Sequence, residues 1–152
     1  VVRVVETNLL GALYWVEALL PAMRARGSGT LAAISSLAAA RGLPGAGAYC
    51  ASKAGLSAFF ESLRVDLAPH GVRAVVVEPG LVRTPIIAHL RRDLPFELTP
   101  EAAARTIAAR LARGHTVVRF PWTMALTLRL VRALPSRAFD ALAARMRGRF
   151  RD

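Results

Sequence analysis

The 152-residue chain contains one cysteine, Cys50, one lysine, Lys53, and only two tyrosines and two tryptophans. A lone cysteine excludes an internal disulfide framework and a cysteine-built zinc site. No initiator methionine is present: the chain opens Val1-Val2-Arg3-Val4-Val5-Glu6, without the basic and apolar regions of a signal peptide. Long apolar runs are missing as well. The least charged stretch, residues 27–52, is broken by Arg41, Pro44 and several glycines and serines, and falls short of the ~20 apolar residues of a membrane span. Acidic residues number 10 against 21 basic ones, leaving a net charge of +11. Such an excess attracts phosphate non-specifically. Yet no stacking platform, reading motif or dense basic run accompanies it, and the arginines are spread along the whole length, so nucleic acid is not the expected partner. His70, His89 and His115 lie far apart without metal-ligand spacing, and no metal site is expected.

What the chain does have is apolar: 54% of its residues are hydrophobic, which excludes disorder and suits a single sizeable core. Helical periodicity covers 3–26, with Pro21 as a point for a kink, and returns over 48–68 and 99–113. Thr99-Pro100-Glu101 is a helix start, with threonine at the N-cap and proline at N1. Short apolar runs at 30–34, 73–78 and 115–120 read as strands, the first two of them buried, while 37–47 and 81–98 have loop composition, the second a lid. Strands alternating with helices predict an α/β fold with a parallel sheet. Cys50 reads as a small packed residue, and Phe59, Phe60 and Trp122 as core or interface packing. Two domains or segments are expected: 1–121, and a basic helical extension at 122–152 split by Pro135. The extension carries seven arginines against Asp140 and Asp152, interleaved with leucines. Such a pattern suits peripheral contact with an anionic membrane, or a helix packed on the domain with its arginines solvated.

The spacing that carries chemistry is Tyr49-Cys50-Ala51-Ser52-Lys53. On a helix, positions i and i+4 share a face, so a phenol and an ammonium sit side by side. A phenol has an ordinary pKa of ~10, and a neighbouring cation favours its ionised form. The pair can then pass a proton to or from an alcohol oxygen. Ser36 ends a strand thirteen residues before Tyr49, with Ser35 read as its neighbour. Pro79-Gly80-Leu81-Val82-Arg83-Thr84 follows the next strand at its carboxyl end, where open α/β sheets bind ligands. Asn8-Leu9-Leu10-Gly11 stands 28 residues before Ser36. Together these residues resemble the short-chain dehydrogenase/reductase family, over most of residues 1 to 120.

The resemblance implies a catalytic set of Asn8, Ser36, Tyr49 and Lys53. Tyr49 is general acid in ketone reduction and general base in alcohol oxidation. Lys53 favours the tyrosinate and binds the nicotinamide ribose. Ser36 holds the substrate oxygen, and Asn8 supports a water linking Lys53 to solvent. Pro79, Gly80, Val82 and Thr84 form the nicotinamide-side loop, with Glu78 where asparagine is frequent. The implied cofactor is NAD or NADP, and the implied substrate a small-molecule ketone or secondary alcohol. The implied fold is a Rossmann-like, doubly wound parallel sheet, here partial, with strands 5 to 7 of the order 3-2-1-4-5-6-7.

Against this, no glycine in the chain makes the Gly-rich first turn that approaches a pyrophosphate. The resemblance therefore implies that roughly the first 100 residues of an ordinary member are absent. The strand at 30–34 is then left with an open edge, and the isolated chain is expected to be an inactive, truncated fragment. Pairing through the helices carrying Asn8 and Tyr49 is expected to give a homodimer or homotetramer. The expected location is cytoplasmic, with a membrane-peripheral placement as the alternative. The rival functional reading is a non-catalytic remnant that serves subunit pairing or sits on a membrane surface.

Overall fold

Residues 2–25 are helical without a break, as their apolar periodicity predicts, but the segment is built of three pieces. A short helix α1 (Val2–Val5) passes into a π-helical turn (Glu6–Leu10) and then into α2 (Gly11–Ala25). α2 runs through Pro21 and ends at Arg26, four residues beyond the turn that proline weakens. The computed structural model describes residues 1–85 and 97–146 of the chain. His89, most of the 81–98 lid and Arg147, Arg149 and Arg151 lie outside the described residues.

β1 (Gly29–Ile34) leads through a 3-10 turn (Leu37–Ala40), in a stretch whose composition predicts plain loop, to α3 (Gly47–Leu67). β2 (Val72–Pro79), α4 (Pro100–Ala112) and β3 (Val117–Phe120) follow. α5 (Trp122–Ala133) and α6 (Ser136–Met146) are separated at Pro135, as expected. Thr99 caps α4, its hydroxyl accepting from the Ala102 amide at 3.2 Å.

The three strands form one parallel sheet in the order β1-β2-β3, with Ile34 opposite Val77 and Glu78 opposite Arg119. β2 is covered on both faces. Val72, Ala74 and Val76 pack with Leu56, Phe60 and Leu67 of α3 and Val16 of α2. Val75 and Val77 pack with Val118, Phe120 and Ala103 of α4. α2 and the crossover helix α3 on one face and the crossover helix α4 on the other make this the expected doubly wound, Rossmann-like arrangement, in part.

β1 departs from the expectation of a buried strand. Leu31 and Ala33 are buried against the α2–α3 layer, but Thr30, Ala32 and Ile34 are exposed, Ile34 by 49%. The reason is coverage: α4 packs over β2 and β3 and does not extend to β1. The edge of β1 away from β2 borders a groove of about 430 Å³, closed on its other side by α2. Trp122 also departs from the core reading, with 73% of its surface exposed. Phe60 is in the core, edge-on to Phe59 at 5.9 Å, as expected.

Candidate active site

Tyr49 lies in the first turn of α3 and Lys53 one turn further on. Lys53 Nζ donates to the Ile34 carbonyl at 2.8 Å and sits 5.9 Å from the centre of the Tyr49 ring. The ring is partly open, with Tyr49 39% exposed. Lys53 is half-buried, and this desolvation pushes its ammonium below the ordinary lysine range.

Asn8 reaches the same turn of α3 from the other side. It lies within the π-helical turn, a rare irregularity that is frequent at functional sites. Its Nδ2 donates to Ser52 Oγ at 3.2 Å, and Ser52 Oγ donates to the Tyr49 carbonyl at 2.8 Å. The segment carrying Asn8 is thus tied to the backbone between Tyr49 and Lys53. Ser36 stands just past the end of β1, buried, as N-cap of the 3-10 turn. Its Oγ accepts from the Ala38 amide at 3.1 Å and makes no hydrogen bond to Tyr49. Asn8 is therefore linked through Ser52 to the Tyr49 carbonyl, Lys53 stands beside the Tyr49 ring without a hydrogen bond to it, and Ser36 shares their end of the sheet without a hydrogen bond to any of them.

A second polar chain lies beneath. Ser35 Oγ stands 2.9 Å from the Lys53 carbonyl and 2.7 Å from Ser57 Oγ, with one proton to donate between these two acceptors. Ser57 donates to Glu78 Oε1 at 3.1 Å, and Arg119 Nε donates to Glu78 Oε2. Glu78 is 92% buried, and no buried side-chain nitrogen or oxygen among the described residues lacks a partner. This chain fastens the strand ends of β1, β2 and β3 to the middle of α3. Arg119, its register partner on β3, neutralises the buried Glu78 carboxylate.

Pro79 pairs with Phe120 in the sheet, and the Gly80 amide donates to the Phe120 carbonyl at 2.7 Å. A Cβ on Gly80 would come 2.7 Å from Met124 Sδ and 3.0 Å from Pro121, so α5 rests on this glycine. Val82 bridges to Leu98, and the Arg83 amide donates to the Leu98 carbonyl at 2.9 Å, which pins the segment leading to Thr84.

The lysine ammonium and the backbone of 79–84 stand at the same, carboxyl end of the sheet. Gly42, Gly45 and Gly47, in the segment before Tyr49, have open space where a Cβ would stand. No group of histidine, cysteine or carboxylate side chains among the described residues is placed to hold a metal.

Sequence spacing misses Ser52, Ser57, Arg119, Arg41 and Met124. Ser52 touches Asn8 across 44 positions, and Arg119 touches Glu78 across 41, contacts that only the tertiary fold brings about. Cys50 is buried as expected, with Sγ accepting from the Leu43 amide at 3.4 Å.

Comparison with known proteins gives a consistent result. The profile of a family described as short chain dehydrogenase matches residues 1–95. An uncharacterized oxidoreductase of Myxococcus xanthus is 42% identical over 144 residues, covering 95% of this chain and 57% of that protein. A short chain dehydrogenase from Burkholderia cenocepacia, solved in complex with NADP, superposes with a TM-score of 0.77 at 28% identity, over 93% of this chain and 58% of that one. A short-chain dehydrogenase from Sphingobium yanoikuyae in complex with NADPH gives a TM-score of 0.70 at 22% identity, over 93% and 52%, a likeness of fold. The chain spans a little over half the length of these relatives.

Proposed function

Since this chain belongs to the short-chain dehydrogenase family, we propose that it carries the catalytic half of an NAD(P)-dependent oxidoreductase acting on ketones and secondary alcohols. The observation that carries this reading is the shared turn of α3. Tyr49 stands beside Lys53, Lys53 is held half-buried on the Ile34 carbonyl, and Asn8 is tied in through Ser52.

In reduction, the Tyr49 hydroxyl donates its proton to the carbonyl oxygen of the substrate, and in oxidation its oxygen takes the proton back. Ser36 is suited to hold the same oxygen. Because its Oγ accepts from the Ala38 amide, its own proton remains free to be donated to a developing oxyanion. Lys53 spends one of its three N–H groups on Ile34. The others are available to steady charge on the tyrosine oxygen and to bind ribose hydroxyls. A bound nicotinamide dinucleotide supplies or accepts the hydride. Its nicotinamide end would be held by Tyr49, Lys53, Pro79 and Gly80, with Thr84 and the Val82 backbone at the carboxamide. Asn8, whose Nδ2 donates to Ser52, is suited to support a water that links Lys53 to solvent.

The test is a screen of the full-length gene product with NADH or NADPH and a panel of apolar ketones. We expect cofactor oxidation matched one-to-one by alcohol formed. No consumption with any ketone, and no reverse reaction with the alcohols, contradicts the reading.

A second reading rests on surfaces. α2 exposes Tyr14 and Trp15, which suits pairing of two copies through the helices that carry Asn8 and Tyr49. α5 exposes Trp122, Leu126 and Leu130 at a spacing of four, beside Arg129, which suits peripheral contact with an anionic membrane. No helix among the described residues is long and apolar enough to cross one. Sedimentation with anionic vesicles separates the two: pairing persists without lipid, whereas membrane contact is lost when Trp122, Leu126 and Leu130 are changed to serine.

A further inference from the structure

Arg41 stands five residues after Ser36 and eight before Tyr49, at the head of the loop that enters α3. Its partners come from the far end of the chain. Nη1 lies 2.9 Å from the Val131 carbonyl oxygen, 3.0 Å from that of Arg132 and 2.7 Å from that of Leu134. Those belong to the last turn and C-cap of α5, where a cation is favoured by the helix dipole; the Val131 carbonyl also accepts from the Leu134 amide at 3.3 Å. The guanidinium also stacks over Phe139 of α6, 4.0 Å from the ring centre, a cation–π contact. One side chain therefore clamps both C-terminal helices to the loop between two catalytic positions.

The loop needs such a clamp. α3 begins without a side-chain cap at Ala46, so its first turn, the one that carries Tyr49, relies on the Asn8–Ser52 link on one side and on the entering loop on the other. Within the loop, the Ala46 amide donates to the Leu43 carbonyl at 3.1 Å, and the Leu43 amide reaches the weak acceptor Cys50 Sγ at 3.4 Å. These are local links that move with the loop. Among the described residues, Arg41 makes the side-chain hydrogen bonds that join this segment to a different part of the fold.

We propose that Arg41 is a positioning residue for Tyr49: by clamping the end of α5 and Phe139 of α6 it fixes the loop that sets the first turn of α3. This makes the C-terminal extension part of the catalytic apparatus without contact with the reacting atoms. The inference rests on the proposed oxidoreductase chemistry, and its test keeps the two apart.

The experiment uses the full-length gene product with reduced nicotinamide cofactor and a ketone it turns over, together with hydrogen exchange of the amides at 50–53, which donate back into the first turn of α3, and at 56–67. Arg41→Ala is expected to lower kcat about tenfold with the cofactor KM unchanged, and to speed exchange at 50–53 about tenfold while 56–67 stays as in the wild type. Arg41→Lys keeps the charge without the planar fork and falls between the two. Phe139→Leu removes the stacking alone and gives a smaller shift in the same direction. Unchanged kcat and exchange in Arg41→Ala overturn the proposal. Faster exchange spread evenly over α3 does so too, because it marks a general loss of stability. If no ketone is turned over, the chemistry has failed instead, and the exchange pattern alone decides whether Arg41 sets the turn that carries Tyr49.

Discussion

Lys53 is held where an ammonium is poorly solvated, half-buried and bonded to a strand-end carbonyl. Burial lowers its pKa below 10.5, so the folded chain binds the proton less tightly than the unfolded chain does. Stability from this group must therefore rise as pH climbs from the lowered folded value towards 10.5, and the gain is absent below that value. In melts at stepped alkaline pH, the wild type should gain stability relative to Lys53→Met across this window; parallel curves contradict the burial. Glu78 offers a second test. Arg119→Met leaves a buried carboxylate with Ser57 as its remaining side-chain partner, and should cost on the order of 3 kcal/mol in denaturant unfolding. The two residues were unequally legible. Tyr49, Lys53, Ser36 and Asn8 announce themselves by separations along the chain, and the lysine stands out among twenty arginines. Glu78–Arg119 and Asn8–Ser52 depend on strand register and helix packing, which no local pattern encodes.

At the scale of elements, the turn between α3 and β2 packs on the turn between α2 and β1. Gly71 has φ +66°, and a Cβ there would come 2.2 Å from the Gly27 carbonyl oxygen, a backbone atom that cannot swing aside. Gly71→Ala should therefore cost about 2–3 kcal/mol, from clash and left-handed strain together, read as a fall in the unfolding midpoint. Gly80→Ala meets Met124 Sδ, the flexible part of a side chain, and the Pro121 ring, and should cost about 1 kcal/mol. Element positions were readable because caps and breakers are local: Thr99 before Pro100, Gly71 after Leu67 and Pro135 between α5 and α6 all stand where the elements end. The π-helical turn at Asn8 was not readable, since nothing in Glu6–Leu10 separates it from ordinary helix. The half-exposure of β1 was not readable either. An apolar run looks the same whether one or both faces are covered, and coverage depends on where α4 lands.

Across the whole molecule, two features face outward together. One is the edge of β1 with its groove, bordered by Asn8, Ile34 and Lys53; the other is the carboxyl end of the sheet, with Ser36, Tyr49 and the 79–84 segment. A strand edge with exposed Ile34 invites pairing with another strand. In the 152-residue chain alone, concentration-dependent association should weaken in an Ile34→Lys variant, as light scattering will show. Arginine is spread over most of the chain and sets its charge of +11, while the chemistry sits on one turn of α3. The measurement that bears most directly on that assignment compares steady-state ketone reduction by the full-length gene product with that of its Tyr49→Phe variant. The account predicts that kcat falls by about a hundred- to ten-thousand-fold with cofactor binding retained; equal turnover in Tyr49→Phe would contradict it.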